Sequence, residues 1–110
     1  MSFVRTLHLG SNEKQQEVAV ALSDPIESGG TWRCRYEIGW PEGVAAGEIG
    51  GADALQALYL AMEAVALSLY GSPHHKAGRL YWHKPGEGYG FPMPKAGRGD
   101  LVGDDRASQG

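Results

Sequence analysis

Three histidines, His74, His75 and His83, fall within one ten-residue stretch. Imidazole is the side chain best placed for proton transfer near neutral pH and for metal ligation. With Tyr81 and the glycines of Gly86-x-Gly88-x-Gly90, they would serve a small ligand or a reaction if the fold gathered them in one concavity. Adjacent histidines in a loop rarely ligate one ion together, so the pattern reads as solvated loop histidines near the negative end of a helix. Neither a metal nor any other cofactor is expected. Cys34, the single cysteine, would need a histidine base to act as a nucleophile. Its place on the apolar side of an alternating segment makes it a buried, inert thiol. No Ser/His/Asp spacing, nucleophile elbow or pair of carboxylates on one element stands out, so the residues lean away from an enzyme. The glycine run lacks the Lys-Ser/Thr of a phosphate loop and leads into Phe91-Pro92, which cannot open the helix whose amides would hold phosphate.

Charge singles out the same region. Residues 1–70 carry four basic and nine acidic side chains, whereas residues 71–98 carry five basic and one acidic. Lys76, Arg79 and Lys84 are interleaved with Tyr81, Trp82, Tyr89 and Phe91, the composition of a nucleic-acid surface. The whole chain is acidic, with net charge −3, which repels polyanions at long range. Nucleic acid is therefore a lesser alternative, one that would use the basic residues between 76 and 98.

Residues capable of chemistry need elements to hold them. Trp32, Cys34, Tyr36, Ile38 and Trp40 alternate with Arg33, Arg35 and Glu37, which predicts a strand with one buried and one charged face. Further strands are expected over Phe3–Leu9, Glu17–Leu22 and Val44–Ile49, with the loop Ser23–Gly30 between the second and third. Asp53 with Gln56 forms a capping pair that opens a helix over Ala54–Tyr70, and Gly71 stands where a left-handed C-cap glycine belongs. Leu55, Leu58, Tyr59, Met62, Val65, Ala66 and Leu69 form the expected core stripe. Leu60 and Leu67 lie off it, on a helix with only one charge, Glu63. After a loop at Ser72–Gly78, a short strand at Arg79–His83 and an extended Phe91-Pro92-Met93-Pro94 should close the core. The expected fold is α+β: an antiparallel four-stranded meander packed on one long helix, with a short C-terminal strand. Trp32, Tyr36, Ile38, Leu58, Met62, Val65, Leu69, Leu80 and Trp82 should be its core. Residues 1–94 form the domain, and polar, glycine-rich residues 95–110 a flexible tail.

In combination, Trp32-Arg33-Cys34-x-Tyr36-x-Ile38, Gly51-x-Asp53-x-x-Gln56-Ala57-Leu58, Gly78-x-Leu80-x-Trp82 and Gly90-Phe91-Pro92-x-Pro94 resemble a family of small bacterial proteins, a domain of unknown function. The likeness covers about residues 3–94. It implies a small bacterial α+β protein and brings neither an activity nor catalytic residues.

At 110 residues the chain holds one domain with one modest core. It lacks a signal-like apolar leader, a disulfide pair and a 20-residue apolar span, so a cytoplasmic protein is expected. The favoured function is a non-catalytic protein-interaction module, of which an immunity or antitoxin-like protein would be one example, binding a protein partner or itself. Its candidate contacts are the outer row Arg33, Arg35 and Glu37, where arginine suits an interface, and the off-stripe Leu60 and Leu67. The alternative ligand-binding or enzymatic reading uses His74, His75, Tyr81 and His83 beside the glycine run, and the nucleic-acid reading uses Lys76, Arg79 and Lys84.

Overall fold

The computed structural model describes residues 1–10 and 15–94. The expected tail, 95–110, lies outside the described residues, as do residues 11–14 of the first turn. Strand β1 (Phe3–Gly10) pairs antiparallel with β2 (Gln15–Leu22), with Leu7 opposite Val18 and Arg5 opposite Val20. After Ser23-Asp24-Pro25 the chain resumes as β3 (Ile26–Ser28), alongside the same central strand, β4 (Thr31–Trp40), that β2 meets. A proline cannot donate to a ladder, which explains the break. Ser23 bridges it: its amide donates to the Arg35 carbonyl at 2.9 Å, and its hydroxyl accepts from the Arg35 amide at 2.9 Å. The other side of β4 pairs with β5 (Gly43–Gly51) in an uninterrupted register from Trp40–Gly43 to Trp32–Gly51.

Helix α1 (Ala54–Tyr70) follows, then a single turn α2 (Pro73–Lys76) and the two-residue β6 (Leu80–Tyr81), which returns to β1 at His8 and Leu9. The fold is thus α+β, an antiparallel sheet of six strands with one main helix. The expected loops at Ser23–Gly30 and Ser72–Gly78 contain β3 and α2. No described helix is long and apolar enough to cross a membrane.

The α1 cap forms as its residues predict. Asp53 Oδ1 accepts from the Gln56 amide at 2.7 Å, and Gln56 Oε1 reaches back to the Ala52 amide at 2.6 Å. Gly71 is right-handed (φ −82°), not left-handed, because the chain turns directly into Ser72, the cap of α2.

One face of the sheet supplies Leu7, Leu9, Val18, Val20, Leu22, Cys34 and Ile38 to the core, and α1 covers that face. Of the expected core, Ile38, Val65, Leu69 and Leu80 are buried, whereas Trp32, Tyr36, Leu58, Met62 and Trp82 are partly buried at its margin. The helix is rotated from the expected stripe. Ala57, Ala61, Val65 and Leu69 face inward, while Leu55 is 75% and Tyr59 44% exposed. Small residues are required where β5 enters α1: a Cβ on Gly51 would come within 2.5 Å of the Ala57 nitrogen. Phe91 and Met93 pack back onto the core as expected.

Candidate functional site

The α2 turn sets the directions of two histidines. Ser72 Oγ accepts from the His75 amide at 3.1 Å and donates to the Leu69 carbonyl at 2.7 Å, and Pro73 occupies the first helical turn, where its missing donor costs nothing. His75 turns inward. Its Nδ1 lies 2.5 Å from the Tyr89 hydroxyl, which reaches the Leu80 carbonyl at 3.4 Å. Which of the two donates in the His75–Tyr89 hydrogen bond follows from the His75 tautomer. Tyr70 packs against both rings, at 4.7 Å from His75 and 5.0 Å from Tyr89. Tyr70 and His75 also line a groove together with Leu67, Gly71, Lys76 and Met93.

His74 turns the other way. Its Nε2 meets both oxygens of Glu42, at 2.9 and 3.0 Å, and its ring stacks on Trp40 with centroids 5.0 Å apart. The hydrogen bond from His74 holds the Glu42 carboxyl below its ordinary range. His74 Nδ1 is buried and makes no hydrogen bond among the described residues. His83 stacks on Trp82 at 4.0 Å, whereas Tyr81 lies beside His8 at 5.3 Å and donates to Gln15 Oε1 at 2.9 Å.

The residues of the ligand-binding reading therefore occupy separate environments. Neither of the adjacent histidines is a solvated loop residue; both are half-buried with partners from distant parts of the chain. Among the described residues no three His, Cys, Asp or Glu side chains converge as metal ligands. Lys76, Arg79 and Lys84 are exposed, but Tyr89 and Phe91 are buried and offer no ring face to a base. Cys34 is buried with its thiol 3.4 Å from the Ser23 carbonyl, and burial pushes that thiol upward.

Arg5 is an organising residue that sequence reasoning missed. It occupies an inward position on β1, where its guanidinium lies 3.9 Å over the Trp82 ring and 4.7 Å over Phe91. Nη1 donates to the carbonyls of Tyr89 (3.1 Å) and Gly90 (2.9 Å), tying the last segment to the first strand. An arginine in phase with the apolar residues Leu7 and Leu9 was the available signal.

Two surfaces remain. On the outer sheet face, Arg33 pairs with Glu48 and Arg35 with Glu37, each at 3.6 Å and about half exposed, so the row forms solvated ion pairs. The second surface is apolar and follows α1. One groove, of about 430 Å³, runs between β1 and α1 past Phe3, Val4, Arg5, Leu58, Met62 and Phe91. An adjoining one, of about 450 Å³, passes Leu55, Leu58, Tyr59 and Met62. Leu67 is 49% exposed on the far flank, while Tyr70 lies beneath the C-terminal segment.

Residues 3–93 match the family described as a domain of unknown function, DUF6968, and the chain belongs to it. No curated protein and no solved structure matches the chain.

Proposed function

We propose that this DUF6968 member is a non-catalytic protein-association module acting in the cytoplasm. One observation carries the reading: a single helix leaves Leu55, Leu67 and Tyr59 on its outward sides while the groups with chemical potential are engaged within the fold. Large apolar side chains left exposed on more than one side of a helix suit a surface that meets another chain. The unpaired Cys34 is compatible with a reducing compartment.

The test is recovery of the tagged full-length chain from its host lysate after nuclease treatment, together with sedimentation of the purified protein. Leu55→Glu/Tyr59→Glu, Leu60→Glu/Leu67→Glu and Arg33→Glu/Arg35→Glu run beside it. A stoichiometric partner, foreign or a second copy, that is lost with one pair of substitutions supports the reading and locates the face. A monomer that captures nothing overturns it.

A further inference from the structure

The long edges of the sheet, beyond the three-residue β3, are treated differently. On one side, β1 is covered by β6 at His8 and Leu9, and beyond that by Arg5 with Trp82 and Phe91. On the other side, β5 pairs only with β4, and its outer edge makes no backbone hydrogen bond to any described residue. Natural edges are usually blunted by lysine, proline, an inward charge or a bulge. None of these occurs in Gly43–Gly51, which is nine residues long, in unbroken register with β4, and carries Glu48 as its one charge.

We infer that two copies of this chain associate through antiparallel pairing of β5 with its counterpart, joining the two sheets, with α1 of each copy packed on the other. The inference rests on the association reading and names the partner as a second copy. Symmetric pairing of all nine residues places Gly47 opposite Gly47 of the second copy. Ala45 then faces Ile49 beneath the helices, a small residue against a large one, and both are only half-buried in the single chain. Ala46 faces Glu48, so no like charges meet across the junction, and each Glu48 already has its own Arg33 at 3.6 Å.

The helix position supplies an independent check. Helix α1 packs on both β4 and β5, and the spacing that follows takes its axis to project midway between them. With strands about 4.8 Å apart, the axis stands about 4.8 Å from the dyad that would relate the two β5 strands. The two helices would then lie about 10 Å apart, the outer end of the usual helix-packing range. The flank of α1 turned to that side is apolar. Leu58 and Met62 point toward β1, and helical geometry puts Leu60 and Ala64 on the opposite flank, four residues apart, with Leu67 a turn further on where that flank meets the groove beside Met93. An alanine between two leucines allows two helices to approach closely. The edge measures about 30 Å along nine residues at 3.3 Å each, and a sheet–helix edge is about 20 Å thick. That is about 600 Å² per copy, or about 1,200 Å² in all, the lower bound for a stable interface.

Sedimentation equilibrium of the full-length protein, with thermal melts as the folding control, tests this. Wild type is expected at twice the 11.8 kDa mass of one chain. Ala46→Glu puts like charges across the junction twice and should weaken the dimer at least tenfold, while Ala46→Lys, which meets Glu48, should leave it intact or tighten it. Leu60→Glu/Leu67→Glu should give monomer. A wild-type monomer at every soluble concentration overturns the inference, and if that monomer retrieves another protein, the association reading survives alone. A dimer indifferent to both Ala46 substitutions, or lost only with Leu55→Glu/Tyr59→Glu, also overturns it. If Ala46→Glu does not fold, a Leu60→Glu/Leu67→Glu protein that stays dimeric decides against it.

Discussion

Replacing Arg5 with alanine tests how the last segment is held. The guanidinium donates to two carbonyls, at 3.1 and 2.9 Å, and lies over two rings. Hydrogen bonds from a charged donor contribute about 1.5–3 kcal/mol each, and a cation–π contact about 0.5–1 kcal/mol. These contributions share one side chain and do not add, and the half-open site lets water reach the abandoned carbonyls. A loss of about 3 kcal/mol is therefore expected for Arg5→Ala. At 4–8 °C per kcal/mol for a domain of this size, the melting point should fall by roughly 12–24 °C. Arg5→Lys keeps the charge but loses the planar fork and the stacked face, and should cost about half as much. Urea titration followed by tryptophan fluorescence provides the assay, with Trp82 directly beneath the substituted group. A loss below about 1 kcal/mol for alanine, or lysine equal to wild type, would refute the clamp.

Gly90 is left-handed (φ +77°), and a Cβ there would come within 2.5 Å of Trp82 and 2.8 Å of Arg5. Gly90→Ala should cost about 2–4 kcal/mol in the same titration, and an unchanged midpoint would deny the close approach. The Glu42 carboxyl is held below its ordinary range by His74, so its contribution is fully present above the usual 4.5 and is lost as pH falls through the lower folded value. Glu42→Gln should remove that acid-side loss from a stability-versus-pH curve, and an identical curve would show that the pair contributes nothing. Cys34 should resist a thiol reagent in native buffer and react at the rate of unfolding in urea; prompt native reaction would contradict its burial.

What could be read from the chain was local. The alternation in Trp32–Trp40 marks β4 because both faces of that strand differ in polarity, and Asp53 with Gln56 marks the start of α1 because the capping contacts span four residues. Strand β3 was hidden because Ser23-Asp24-Pro25 has loop composition, and its repair by Ser23 depends on Arg35, twelve residues away. The α2 turn had a signal, Ser72-Pro73, but a four-residue helix has no periodicity to detect. The histidines could not be assigned for a different reason. His74 meets Glu42, thirty-two residues earlier, and His75 meets Tyr89, fourteen later, so their separation follows from tertiary packing that adjacency in sequence obscures.

The rotation of α1 is the most consequential of these differences. Ranking helix faces by size selects Leu55 and Tyr59, yet the sheet already fills the layer with Trp32, Tyr36 and Trp40. The Tyr36 ring lies across Gly47, where an added Cβ would meet its hydroxyl at 2.5 Å. With large residues coming from the strands, the helix must contribute small ones, so Ala57 and Ala61 take the inner face and leucines are displaced outward. The consequence can be measured by a reversed pair of substitutions. Leu55→Ala should change stability by no more than about 0.5 kcal/mol, the range of surface positions. Ala61→Leu, which enlarges a fully buried side chain, should cost about 1–3 kcal/mol through overpacking. If Leu55→Ala instead costs the 2–5 kcal/mol of a core leucine, the helix is turned as its leucines suggested, and the apolar surface on which the association reading stands does not exist.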